Sequence, residues 1–192
     1  GGYDCHDTER LYHVRLESSN GTHMSRCGGS LIHPQWILTV AHCWQTNVAV
    51  LKVHPRTAWP QRQMIQQAPV IFRRNFQQHD LMLLKLETPV TDVPLPQLPD
   101  RRYRLNRGDV VQLAGEGATT TGPNNEQCER NIEVMRIKSL FLSLQRRLTA
   151  MLGNKIYGVI SFGGPRYACQ RPAAFLDVTQ YKKWIKRITG LK

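Results

Sequence analysis

One histidine in this chain sits where its proton chemistry could be controlled. His42 follows the apolar run Ile37-Leu38-Thr39-Val40 and directly precedes Cys43, while Cys27 lies upstream of the same run. An imidazole changes charge near neutral pH and can serve as a base, provided its surroundings hold it still. If Cys27 and Cys43 pair, they pin both ends of that run. A cross-link closing about 16 residues is worth about 3 kcal/mol in the chain-entropy model. The competing reading is a satisfied core histidine beside a structural disulfide. The His and Cys positions show no tight ligand spacing, so no metal site is expected. No phosphate loop or nucleic-acid motif occurs either, and no cofactor is expected.

The elements that must position His42 read as short strands. Ile37 to Val40 is apolar and rich in β-branched residues, a buried strand ending at the histidine. Tyr12-His13-Val14-Arg15-Leu16 alternates, and the turn cluster Ser18-Ser19-Asn20-Gly21 makes a hairpin from it into the Cys27 strand. Val48 to Val53 and Pro69 to Phe72 are further short strands, separated by a Pro-containing loop. In His79-Asp80-Leu81-Met82-Leu83-Leu84-Lys85-Leu86 an acidic residue opens a continuous apolar strand; a turn residue is the plain reading of such an Asp. Residues 87–107, rich in Pro and Arg, read as a linker between two halves. Gly108 to Gly117 opens the second half as a strand, Thr119 to Asn125 reads as a loop, and Ile132 to Met135 alternates again. Near the end, Tyr181, Trp184, Ile185 and Ile188 fall on one face of a helix, with Lys182, Lys183, Lys186 and Arg187 on the other and Gly190 as its stop.

Composition bounds the class. A chain of 192 residues with 41% apolar and 8% aromatic content can bury a large core as one domain or two small ones. No apolar run reaches the roughly 18 residues of a membrane helix. The first residues do not read as a signal-type leader, so a secreted protein would be in the form that lacks one. The formal net charge of +12 predicts attraction to polyanions such as heparin-like glycans, nucleic acid or anionic bacterial surfaces; a basic surface with no dedicated partner is the bland alternative. Five cysteines leave at least one unpaired in an oxidising compartment. Asn20-Gly21-Thr22 is a glycosylation sequon in a turn context.

The segment C-G-G-S-L-I-H-P-Q-W-I-L-T-V-A-H-C, residues 27–43, resembles the catalytic-histidine segment of trypsin-like serine proteases. Gly1-Gly2-Tyr3-Asp4-Cys5 resembles that family's mature N-terminus without its first two apolar residues. Asp80-Leu81-Met82-Leu83-Leu84-Lys85-Leu86 resembles its D-I-M-L-I-K-L, whose Asp orients the catalytic His. Gly108 to Gly117 resembles its strand ending in G-W-G, with Glu116 in the Trp position, and Tyr181 to Ile185 resembles its closing helix. The resemblance implies an all-β fold of two six-stranded antiparallel β-barrels, the second shortened, with a C-terminal helix over 180–189. It implies one domain over 1–192, with sub-barrels of about 1–95 and 108–178. It makes His42 and Asp80 two of the four parts of acyl transfer, the others being a nucleophilic Ser and backbone N–H groups for the oxyanion.

Those two other parts are missing from the sequence. The family carries both in G-D-S-G-G-P, and no Gly-Asp-Ser-Gly occurs in this chain. Tyr157-Gly158-Val159-Ile160-Ser161-Phe162-Gly163 resembles the family's G-V-V-S-W-G strand. Counting back from it puts the nucleophile's place near Leu144 to Arg147, where no hydroxyl occurs. Ser139 and Ser143 lie in a stretch without glycine, a poor context for a strained nucleophile turn. Residues 139–144 read as a replacement strand, while Val134, Ile137, Phe141, Leu144 and Leu148 have near-helical spacing; periodicity leaves both open. By resemblance Cys27–Cys43 and Cys5–Cys128 are disulfides. Cys169 resembles the cysteine whose partner precedes the nucleophile, so one lost segment explains the absent Ser, the short length and a free Cys169. Ser161, Phe162 and Gly163 resemble the strand that pairs with substrate backbone. Pro172-Ala173-Ala174-Phe175 resembles P-G-V-Y in the pocket wall, Ala173 narrowing it. The expectation is a secreted, glycosylated, basic serine protease homologue (a pseudoenzyme) that binds a protein or peptide, such as a protease-cascade protein, or a heparin-like or other polyanion. An active endopeptidase using His42, Asp80 and an unrecognised Ser is the alternative, and a poorly folding variant with an open sheet edge is the third reading.

Overall fold

Apolar strands that cannot satisfy their backbone groups alone pair into sheets, and here they pair antiparallel throughout both sheets. A computed structural model describes residues 3–18, 26–100, 110–121, 127–138, 148–162 and 174–192. The first sheet is built from β2 (His13–Glu17), β3 (Arg26–His33), β4 (Trp36–Thr39), β5 (Val48–Leu51), β6 (Gln61–Met64), β7 (Val70–Arg74) and β8 (Gln77–Lys85), in the order β6-β5-β2-β3-β4-β8-β7. The second holds β9 (Val110–Thr121), β10 (Gln127–Lys138), β11 (Leu148–Leu152), β12 (Lys155–Phe162) and β13 (Ala174–Asp177). It takes its remaining edge strand from the chain start, β1 (Tyr3–Asp4), in the order β1-β10-β9-β11-β12-β13. A helix, α1 (Val178–Thr189), closes the chain.

The expected architecture of two antiparallel β units and a closing helix is therefore present, with one more strand in the first sheet than the expected six. One strand that was not anticipated is β6. Its sequence, Gln61-Arg62-Gln63-Met64, has no apolar period to announce it; it exists because its backbone pairs with β5, Val48 opposite Met64 and Leu51 opposite Gln61. A second unexpected strand is β11, joined to β12 by Gly153-Asn154. Gly153 adopts φ +58°, the left-handed value that the first position of a primed two-residue hairpin turn needs. Earlier in the second half the chain also departs from expectation: Thr119 to Thr121 continue β9 rather than starting a loop, because Thr121 and Thr120 pair with Gln127 and Cys128 of β10.

One core spans both sheets. Leu16, Leu31, Ile37, Leu38 and Leu81 to Leu84 from the first pack in the same cluster as Met151, Ile156 and Val159 from the second and Val178, Tyr181 and Ile185 from the helix. At about 25 cal/mol per Å² of apolar area removed from water, this shared burial supplies the main force holding the halves together. The linker adds backbone bonds to the second sheet: Gln97 N–H donates to the Asn154 carbonyl at 2.8 Å, and Ile156 N–H donates to the Gln97 carbonyl at 2.9 Å. The helix starts two residues before the expected 180 because Asp177 caps it, its carboxylate accepting from Thr179 N–H at 2.9 Å. It ends at Thr189, as expected, with Gly190 at φ +76°. Among the described residues no helix is long and apolar enough to cross a membrane.

Candidate active site

β4 delivers His42. The strand is buried and runs Trp36–Thr39, pairing with β8 so that Thr39 lies opposite Met82. It does not continue to the histidine: a single 3-10 turn, Ala41–Cys43, follows, with Cys43 N–H donating to the Val40 carbonyl at 3.1 Å. Cys27 and Cys43 are disulfide-bonded, with Cα atoms 6.2 Å apart. The bond does not pin two ends of one strand. Cys27 lies near the start of β3, so it ties the open end of the β3–β4 hairpin to the turn that carries His42. Two further contacts brace this end: Thr39 Oγ1 donates to the Gly28 carbonyl at 2.8 Å and Thr46 Oγ1 to the Cys43 carbonyl at 2.6 Å. Gly29 lets β4 approach closely, since a Cβ there would meet Ile37 Cγ2 at 2.6 Å.

β8 delivers Asp80. The strand begins at Gln77, three residues before the Asp, so Asp80 lies within the strand and does not open it. The β7–β8 ladder is irregular at this point. Ile71 pairs with Met82 and Arg73 with Gln78, which leaves His79, Asp80 and Leu81 opposite Phe72 alone. Such a bulge re-aims side chains. Asp80 Oδ1 accepts from the His42 backbone N–H at 2.8 Å, and the His42 ring Nδ1 lies 3.1 and 2.9 Å from Oδ1 and Oδ2. A carboxylate can only accept, so Nδ1 carries the proton and Nε2 is left as the basic nitrogen. His42 is 42% exposed at its side chain and Asp80 19%. One aspartate thus fixes both the backbone and the tautomer of the histidine.

The helix supports this pair through the residue before Asp80. His79 Nδ1 is bonded to the Tyr181 hydroxyl at 2.9 Å. Phe72 stands edge-on to His79, Tyr181 and Trp184, with centroids 4.9, 4.8 and 5.3 Å apart. Burial raises the Tyr181 phenol above its ordinary value. This clamp went unseen in the sequence; an aromatic in the strand before Asp80 and the aromatic face of the helix were its visible signals.

A second charged cluster was also missed. Glu116, on β9, accepts from Arg15 Nε, on β2, at 2.9 and 2.8 Å, and from Arg15 Nη2. Arg15 also lies 3.7 Å from Glu17, which binds Arg62 at 2.7 Å. His13 Nε2 is buried, 3.9 Å from Glu116, and has no hydrogen-bond partner among the described residues. Burial would raise the Glu116 carboxyl, but the Arg15 guanidinium and the His13 ring outweigh it and hold it well below the usual carboxylate range. Hydrogen bonding to Glu116 raises Arg15 in turn. Lone charges inside apolar strands, such as Arg15 and Glu116, were the available signal.

Other expected site residues stand apart or lie outside the described residues. Ser161 and Phe162 are on β12, where Phe162 pairs with Ala174 of β13; their side chains, like that of Cys128, are outside the described residues. Cys5 is buried, and β1 just before it pairs with β10, the strand carrying Cys128. Asn20, Gly163, Cys169 and the stretch 139–147 also lie outside the described residues. Donor atoms of Cys27, His42 and Cys43 come within 4.8 Å of one another, but both sulfurs are spent in the disulfide and cannot hold a metal. A cleft of about 350 Å³ lined by Arg10, Tyr12, Pro94, Gln112 and Asn154 includes neither His42 nor Asp80.

Comparison with known proteins agrees with this geometry. The trypsin family model matches residues 1–138, the span that holds His42 and Asp80. Trypsin-3 of Homo sapiens is 28% identical over 224 residues, covering 97% of this chain and 71% of the relative. Among solved structures, the mouse serine protease neuropsin superposes with a TM-score of 0.77 at 19% identity, covering 97% of this chain and 98% of its own. A scabies mite inactivated protease paralogue superposes with a TM-score of 0.75 at 17% identity, covering 100% of both chains. The two structural likenesses are likenesses of fold. With the family model matched over most of its length and the histidine and aspartate in bonded register, this chain belongs to the trypsin family of serine proteases.

Proposed function

We propose that this chain is a secreted, non-catalytic trypsin homologue that acts by binding. The reading is carried by one observation: the chain keeps the bonded His42–Asp80 pair, yet Gly-Asp-Ser-Gly is absent from its sequence. Without that segment both the hydroxyl nucleophile and the paired backbone donors for the oxyanion are lost, and a base with its orienting acid cannot cleave an amide alone. Two points support a lost segment. The alignment to trypsin-3 spans 224 positions, more than the 192 residues here, so the relative carries segments with no counterpart in this chain. Counting five cysteines, with Cys27–Cys43 paired and a Cys5–Cys128 bridge in the reading, leaves Cys169 as the free thiol. The disulfide suits an oxidising, extracellular compartment, where Asn20 would be glycosylated. The +12 charge makes a heparin-like polyanion the favoured partner, alongside a protein or peptide ligand.

The second reading, an active endopeptidase, is favoured by the intact geometry of His42 and Asp80. A fluorophosphonate probe separates the two. The non-catalytic reading expects no covalent label on the folded protein. Labelling that disappears in Ser139→Ala or Ser143→Ala would establish a working nucleophile and overturn it.

A further inference from the structure

We infer that the polyanion site is a composite surface made by the β7–β8 hairpin and α1, and that its ligand is a sulfated polysaccharide; this rests on the polyanion part of the proposed function. Charge alone spreads over the whole molecule, so what matters is which cations the fold brings together. Phe72 packs edge-on against Trp184 at 5.3 Å, which fixes the hairpin against the helix. Arg74 lies two residues after Phe72 on β7 and so shares its face. Lys183 adjoins Trp184, and Arg187 lies one helical turn beyond it on the same side. Arg73, Arg74, Lys183 and Arg187 are all exposed, Lys186 is partly exposed, and among the described residues none of the five is in an ion pair.

No carboxylate dilutes this surface from within. Residues 70–79 and 178–189 contain neither Asp nor Glu. The nearest acids along the chain are occupied: Asp80 holds His42 and Asp177 caps the helix. Elsewhere Lys52 is neutralised by Asp92, Arg15 by Glu116 and Lys155 by Asp100, while Arg56 and Lys85 stand singly outside any ion pair among the described residues. What sets this surface apart is that five such cations lie on two elements packed against each other.

The ligand class follows from shape and compartment. Three arginines and two lysines strung from a hairpin tip along one side of a helix form a track, suited to a linear chain of fixed charges. Sulfate stays ionised at every physiological pH, and arginine binds its oxygens with a two-pronged fork. A disulfide-bonded protein meets sulfated polysaccharide in its oxidising surroundings more readily than nucleic acid.

The test measures binding of a defined-length heparin oligosaccharide across a range of sodium chloride concentrations. Arg74→Gln/Arg187→Gln is expected to lower affinity about tenfold and to reduce the slope of log affinity against log salt by about 2, one for each cation removed. Arg56→Gln/Lys85→Gln, which removes the same charge from a loop and from the end of β8 remote from the hairpin tip, is expected to stay within about twofold of wild type. Arg74→Lys/Arg187→Lys is expected to keep the salt slope, which excludes misfolding as the cause of the first loss. Equal losses in the first two variants, or no loss in the first, would overturn the site while leaving polyanion binding standing. Failure of the wild-type chain to bind heparin would overturn both, independently of the fluorophosphonate result. Tighter binding to phosphatidylserine vesicles than to heparin, abolished by Phe76→Ser at the exposed hairpin tip, would assign the surface to lipid instead.

Discussion

Arg15 and Glu116 join the two sheets: the guanidinium on β2 grips both oxygens of the carboxylate on β9, 101 residues later in the chain. Both groups are mostly withdrawn from water, at 28% and 14% side-chain exposure. Glu116 stands where the family resemblance has a tryptophan, so an ion pair occupies a place the resemblance assigns to an apolar ring.

This pair sets a pH dependence. The Glu116 carboxyl is held below its ordinary value in the fold, so it binds protons less readily there than in the unfolded chain. Its contribution is present above the unfolded carboxylate value of about 4.3 and is lost as pH falls below that toward the folded value. Urea midpoints measured between neutral and acid pH are expected to fall more steeply for wild type than for Glu116→Gln. At neutral pH Glu116→Ala, which leaves Arg15 only its longer contact to Glu17, is expected to cost about 2 kcal/mol. Parallel pH profiles for wild type and Glu116→Gln would rule out this role.

Asp80 has two bonds to His42 that can be separated. Asp80→Asn keeps an oxygen to accept from the His42 backbone N–H and loses the charge; Asp80→Ala loses both. The alanine variant is expected to be less stable than the asparagine variant by about 1 kcal/mol in chemical denaturation. If the two unfold at the same denaturant concentration, the backbone bond contributes nothing.

Gly29 is required by close approach. In Gly29→Ala the added methyl would sit 2.6 Å from Ile37 Cγ2, so β3 and β4 must separate or Ile37 must shift. The expected cost is about 1–3 kcal/mol, read as a lower melting temperature. Ile37→Val, which trims the neighbour, is expected to recover part of the loss when combined with it.

The Cys27–Cys43 bond is expected to contribute about 3 kcal/mol, so Cys27→Ala/Cys43→Ala should unfold at markedly lower denaturant. Adding reductant to wild type should reproduce that shift. A double variant as stable as wild type would show that the hairpin end is held by Thr39 and the core alone.

What could be read from the chain alone were the features whose cause is local. The apolar, β-branched run before His42 has the composition of a buried strand, and Tyr181, Trp184, Ile185 and Ile188 have the period of a helix face; both signals are local and need no partner to be seen. Asp80 was legible because its motif travels with the apolar run Leu81 to Leu84 that follows it. Only the folded chain decided the rest. β6 is a strand because β5 offers it hydrogen bonds, β11 because Gly153 can turn the chain back, and the β8 bulge aims Asp80 at the backbone and ring nitrogens of His42. Arg15 with Glu116, and Phe72 with Trp184, lie about a hundred residues apart. Pairings of that kind leave no periodic mark, because their energy comes from removing both partners from water together, and that happens only once the sheets and helix have met.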